Sequence, residues 1–152
     1  MEVAWDEEEL FILDCLRLNR AGVEQALEKH PEYRQSPRAL FRAVQDDRVE
    51  VVKMLLDLGF SVEQQDAAGQ RPLHVAAAHN ALWTAQLLIE RAAEIDSVEP
   101  NWNGTPLGFA IYHEFPEMVD LLSRYSRSIP RLAFAGKVER LGKYWKQSGR
   151  AQ

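Results

Sequence analysis

A motif that returns every 33 or 34 residues constrains this chain more than any other feature. Arg71-Pro72-Leu73-His74-Val75-Ala76-Ala77 is followed by Thr105-Pro106-Leu107-Gly108-Phe109-Ala110-Ile111 and preceded by Arg38-Ala39-Leu40-Phe41-Arg42-Ala43-Val44. Ala43 to Ala76 is 33 positions, and Ala76 to Ala110 is 34. Apolar doublets keep the same interval: Val51-Val52 with Leu55-Leu56, Ala85 with Leu88-Ile89, and Met118-Val119 with Leu121-Leu122. A fixed period of this size marks a stacked repeat. Each unit is one supersecondary element that cannot bury its apolar face alone, so neighbours must share a continuous core.

Within a unit the apolar spacing predicts two short amphipathic helices. In the second unit the first helix runs roughly from Pro72 to His79 and the other roughly from Leu82 to Arg91. Pro72 suits a first helical turn, where its missing N–H has no intrahelical partner to lose. Asn80 breaks the pattern and starts a turn. Gly59 is placed to close the second helix of the preceding unit as a left-handed cap.

The pattern continues faintly at both ends. Ile12, Cys15, Val23 and Leu27 fit the positions of Leu40, Ala43, Val51 and Leu55, and Asp6-x-x-Glu9 reads as a helix-start box. This unit lacks an extended connection. Downstream, Ile129, Leu132, Ala133, Gly136, Val138 and Leu141 suggest another helix pair. The organisation predicted is one domain over 1–152. It comprises an N-terminal cap unit at 6–33, full repeats at 34–65, 66–99 and 100–127, and a degenerate C-terminal cap unit at 128–146. Tyr144 and Trp145 then seal the open end of the stack or, in a longer polypeptide, face a further domain.

These units resemble the ankyrin repeat family. The family signature threonine-proline-leucine-histidine-x-alanine is matched by Arg71-Pro72-Leu73-His74-Val75-Ala76, with arginine for threonine, and by Thr105-Pro106-Leu107-Gly108-Phe109-Ala110, with glycine for histidine. Asp66-x-x-Gly69 matches the turn leading into the motif. The first unit diverges further, with Ala39 for proline and Phe41 for histidine. The resemblance implies an all-α solenoid of stacked helix-turn-helix units with β-hairpin-like connections. It implies that the His74 ring hydrogen-bonds within the hairpin turn. It also implies a non-catalytic module that presents a concave surface of hairpin tips and first helices to a protein partner.

Helical phase nominates the residues on that surface. Leu and Ala positions of each first helix pack inward, and the last two residues before the turn face the groove. These are Gln45 and Asp46, then Ala78 and His79, then Tyr112 and His113. The matching hairpin positions are Gln35, then Ala67, Ala68 and Gln70, then Asn101, Trp102 and Gly104. The groove is therefore polar at the first unit, small and smooth at the second, and aromatic at the third. The candidate binding residues are Trp102, Tyr112, His113, Asn101, His79, Gln70, Gln45 and Asp46, with the first three as the centre. The competing reading of Trp102 and Tyr112 is packing on a neighbouring unit, and that of His113 is a plain surface histidine. Phe115 and Pro116 staple the second helix of that unit. Trp83, near the start of a second helix, reads first as a filler between second helices and only secondly as an exposed contact.

Composition removes other classes. Hydrophobic residues at 46% and charged residues at 27% exclude a disordered chain. The net charge of -5 argues against nucleic acid as a partner. No apolar run approaches the roughly 18 residues of a membrane span. The acidic start, Met1 to Glu9, is unlike a signal peptide. Cys15 is the single cysteine and reads as a buried small residue, so a reducing, cytoplasmic location is expected for a monomer. No cofactor or metal set is apparent: His74 and His79 are poorly spaced, and no glycine-rich phosphate loop follows a strand. From Arg131 onward six basic residues face one acid, Glu139. That stretch is a solvated last helix or a surface for an acidic partner; alternatively, the chain is a structural or regulatory segment of a longer multidomain protein and the basic end is its junction.

Overall fold

A computed structural model describes residues 6–127. The degenerate cap unit at 128–146, with Tyr144, Trp145 and the basic residues from Arg131, lies outside the described residues. Among those described there are eight α-helices, one short 3₁₀ helix and no strand. The helices come in pairs: α1 (Glu7–Leu16) with α2 (Arg20–Lys29), α3 (Arg38–Gln45) with α4 (Val49–Asp57), α5 (Pro72–Ala78) with α6 (Leu82–Glu90), and α7 (Pro106–Tyr112) with α8 (Pro116–Ser123). Successive first helices pack on one another, α1 on α3, α3 on α5 and α5 on α7, while α4 packs on α6 and α6 on α8.

Each first helix ends by the same device. Leu18, Asp47, Asn80 and Glu114 have φ of 57°, 51°, 53° and 57°. The N–H of the next residue reaches back across the turn: Asn19 to the Asp14 carbonyl, Arg48 to Ala43 and Ala81 to Ala76 at 2.9 Å, and Phe115 to Ala110 at 3.0 Å. This is the Schellman closure, which satisfies carbonyls the helix itself leaves open. The second helices α4 and α6 close likewise, with Gly59 (φ 100°) and Ala92 (φ 64°) at the turning position.

The packing explains the period. Cys15, Ala43, Ala76 and Ala110, all small side chains, are fully buried at one register of the first helices. Burial pushes the Cys15 thiol up to about 12, so it stays protonated. Val23, Val51, Leu55, Ala85, Leu88, Met118 and Leu122 fill the layer beneath.

Polar ties join neighbouring units. Asp47 accepts the Thr84 N–H at 2.9 Å, so a turn residue of one unit caps α6 of the next, whose own N-cap, Ala81, offers no side-chain acceptor. Arg48 donates to the Leu16 carbonyl at 2.7 Å. Arg38 bridges Asp6, Glu8 and Glu9.

Two local expectations are corrected. Asp6 caps α1 through the Glu8 N–H, but Glu9 pairs with Arg38 instead of completing a box. Gln35 is no hairpin residue, because Pro31–Gln35 forms the 3₁₀ helix. Only residues 30–37 separate α2 from α3, against 58–71 between α4 and α5, and the shorter spacer cannot project a hairpin.

Candidate functional site

Two connections project from the stack, and each closes on a carboxylate. In the first, Asp66 donates its N–H to the Gln70 carbonyl at 3.0 Å. Its Oδ1 accepts the N–H groups of Ala68 and Gln70, both at 2.9 Å. Gly69 turns the chain at φ 77°. In the second, the Glu99 N–H donates to the Gly104 carbonyl at 3.1 Å. The Glu99 carboxylate accepts three N–H groups, from Asn101 and Trp102 at 2.8 Å and from Gly104 at 3.0 Å. Glu99 is fully buried.

The second hairpin is one residue longer: Asp66 to Arg71 spans five steps, Glu99 to Thr105 six. The glutamate side chain is one methylene longer than aspartate, and so reaches across the wider turn. The hairpins touch. The Asn101 side chain donates to the Ala68 carbonyl at 3.4 Å. A Cβ on Gly69 would come within 2.7 Å of the Pro100 ring.

His74 ties α5 to the second hairpin. Its Nδ1 accepts the Arg71 N–H at 3.1 Å. Because a backbone N–H can only donate, the ring proton sits on Nε2, which donates to the carbonyls of Ser97 at 2.9 Å and Gly104 at 3.1 Å. The ring is buried, and that burial holds its pKa below the usual histidine value. Gly104 is thus pinned from both sides, its N–H by Glu99 and its carbonyl by His74. Arg71, standing where the signature has threonine, bridges Glu63 at 2.9 Å and Glu94 at 2.7 Å. Thr105 caps α7 through the Gly108 N–H at 3.1 Å.

Above Gly104 a cleft of about 190 Å³ is lined by Trp102, Gly104, Phe109, Tyr112 and His113. Trp102 is 75% exposed and Tyr112 53%. The Tyr112 and His113 rings meet edge to face with centroids 5.2 Å apart, and His113 stacks on Phe115 at 5.7 Å. Phe109 stands edge-on to His74 at 5.6 Å, which fixes the inner wall. A Cβ on Gly104 would stand 3.5 Å from Glu99 Oε1 and 3.6 Å from Phe109 Cε2. Glycine therefore leaves the floor of the cleft open.

The structure brings Trp102, Tyr112 and His113 into one cleft and leaves the other nominated residues outside it. Asn101 sits in the hairpin beside Trp102, exposed but engaged with Ala68. Gln70 is half-buried and closes the first hairpin. His79 ends α5 in an exposed position, with Nδ1 3.0 Å from the Val75 carbonyl. Gln45 and Asp46 are exposed at the end of α3.

Sequence reasoning missed three features. Phe109 lines the cleft, though the motif presents it as a middle position. Glu99 organises the hairpin; its signal was an acid 33 positions after Asp66 where the loop gains one residue. Trp83 is 72% exposed, which corrects its reading as a filler. It lies in the first turn of α6, where its neighbours Thr84 and Ala85 take the buried phase. Among the described residues no group of three or more His, Cys, Asp or Glu side chains could hold a metal ion. No described helix is long and apolar enough to cross a membrane.

The chain matches a family profile described as ankyrin repeats (3 copies) over residues 11–99 and 40–131. It is 27% identical to serine/threonine-protein kinase 12 of Arabidopsis thaliana over 117 residues, covering 77% of this chain and 25% of the relative. It is 35% identical to the putative palmitoyltransferase ZDHHC13 of Danio rerio over 104 residues, covering 68% and 16%. It is 29% identical to SMC5-SMC6 complex localization factor protein 1 of Homo sapiens over 114 residues, covering 74% and 11%. The chain thus spans a quarter or less of the length of each of these relatives.

Proposed function

Because this chain belongs to the ankyrin repeat family, we propose that it is a non-catalytic module that binds a protein partner through the face made by its hairpins and first helices. The cleft at Trp102, Tyr112 and His113 is the centre of that face. Asn101, Gln70, His79, Gln45 and Asp46 form its flank. The observation that carries this reading is that the exposed Trp102 and Tyr112 line one cleft together with Phe109 and His113, whereas Trp83, also exposed at 72%, lies outside that cleft. Exposed Trp and Tyr gathered in one cleft are the residue types that most often dominate interface energy. The unit boundaries at 34–65, 66–99 and 100–127, the cap at 6–33, a monomeric state and a cytoplasmic setting belong to the same proposal.

The test is capture of the partner by the full chain, beside Trp102→Ala and Tyr112→Ala, with the bound protein identified by mass spectrometry. The expected outcome is a partner retained by the wild type and lost by both variants. Each loss should weaken binding by about 2 kcal/mol, while circular dichroism and melting temperature stay nearly unchanged. A variant that unfolds shows instead that its side chain is core and removes it from the site.

A second reading is favoured by the relatives' lengths. The chain then acts as a regulatory segment of a longer polypeptide, with the basic stretch from Arg131 as its junction. Cooperative unfolding of the monomeric 1–152 chain favours the self-contained module. Marginal stability favours the junction.

A further inference from the structure

Resting on the reading of the cleft as a partner site, we propose that its occupant is a cationic side chain, a lysine or arginine carried on a basic segment of the partner protein. Two independent observations meet here. The first is the lining. Trp102, Phe109, Tyr112 and His113 surround a small cleft, and the faces of aromatic rings attract a cation, most strongly where water is partly excluded.

The second is charge. Between Arg91 and Arg124 the chain carries six carboxylates, Glu94, Asp96, Glu99, Glu114, Glu117 and Asp120, and no lysine or arginine. That stretch holds the whole second hairpin and α7. The unit at 34–65, by contrast, carries five acidic and five basic residues. Glu94 and Asp120 are bridged to Arg71 and Arg124. Glu99 is held by backbone N–H groups, with no lysine or arginine on it among the described residues. It stands directly behind the Gly104 floor. Its field reaches the cleft through protein, where it is weakened less than through water.

A cation gains from both the rings and the carboxylates. An apolar anchor gains only from the rings, and an acidic segment is repelled.

The experiment selects short random peptides displayed on phage against the full chain and against Trp102→Ala. The expected result is a set of Trp102-dependent peptides that share a lysine or arginine. Replacing that residue by norleucine lowers affinity at least about tenfold. Binding weakens as sodium chloride is raised. The double variant Glu114→Gln, Glu117→Gln loses a few-fold in affinity and keeps its circular dichroism.

Convergence on leucine, methionine or aromatic anchors that still need Trp102 overturns the cation and leaves the protein-binding reading standing. Trp102-dependent dimers in sedimentation make a second copy the occupant and also overturn it. Folded wild type that yields no Trp102-dependent peptide overturns both readings.

Discussion

The hairpin at 66–71 and the hairpin at 99–105 are built on one plan and differ by one residue. Each folds a short loop around a carboxylate that collects backbone N–H groups. Asp66 collects two and stays half-buried; Glu99 collects three and is fully buried. The first presents Ala67, Ala68 and Gln70, and the second presents Asn101 and Trp102. A solenoid fixes the base of each hairpin by packing and leaves the tip free to vary. Here the extra residue sits at the tip, and the longer acid compensates for the wider turn.

Four measurements test how differently the two hairpins are held. The largest effect is expected from Glu99→Ala. It strips three N–H groups of their acceptor in a buried site and should cost about 3 kcal/mol in urea unfolding. Asp66→Ala, half-buried and with two groups to rehydrate, should cost about 1 kcal/mol. Equal losses would show that the two acids are not differently committed.

Next is Gly69→Ala. Its φ of 77° and the 2.7 Å approach of the Pro100 ring predict a loss of about 1–2 kcal/mol by the same measurement.

The third concerns pH. His74 ties only the second hairpin, since the residue at its register one unit earlier is Phe41. Burial holds His74 below its ordinary value of 6.5. The unfolded chain therefore takes the proton first. The stability from neutral His74 is complete above about pH 6.5 and is lost as pH falls through the range below it. Hydrogen exchange should show the amides of Asn101, Trp102 and Gly104 losing protection as pH falls below about 6.5. Those of Ala68 and Gln70 should hold, and His74→Gln should flatten the difference.

The smallest change in stability is expected from Gly104→Ala. Its added Cβ meets only ordinary contacts, so unfolding should shift by less than about 0.5 kcal/mol. It nevertheless narrows the cleft, and partner binding should weaken. Unchanged binding would move the contact away from the cleft floor.

Much of the architecture was legible because it is local and periodic. The helix predicted from Pro72 to His79 spans Pro72–Ala78, and that from Leu82 to Arg91 spans Leu82–Glu90. Proline at the first turn and a turning residue after the last set these limits from nearby chain alone. Cys15 was placed by register with Ala43 and Ala76. The cleft was legible only in part. Trp102, Tyr112 and His113 follow from helical phase and loop position. Phe109 does not, because its role depends on the hairpin folding over α7. Trp83 was misjudged because phase is least decisive in the first turn of a nine-residue helix.

The repeat, the helix pairs and the small-residue register follow from the order of residues, because spacing along one chain specifies which faces must be apolar. Tertiary structure alone decided that Glu99 is buried beneath the hairpin and that His74 reaches from one unit to hold the Gly104 of the next. It also decided that Trp102, Phe109 and Tyr112 share a cleft. Those contacts join residues up to 30 positions apart, and their distances depend on how closely neighbouring units pack, which no local pattern encodes.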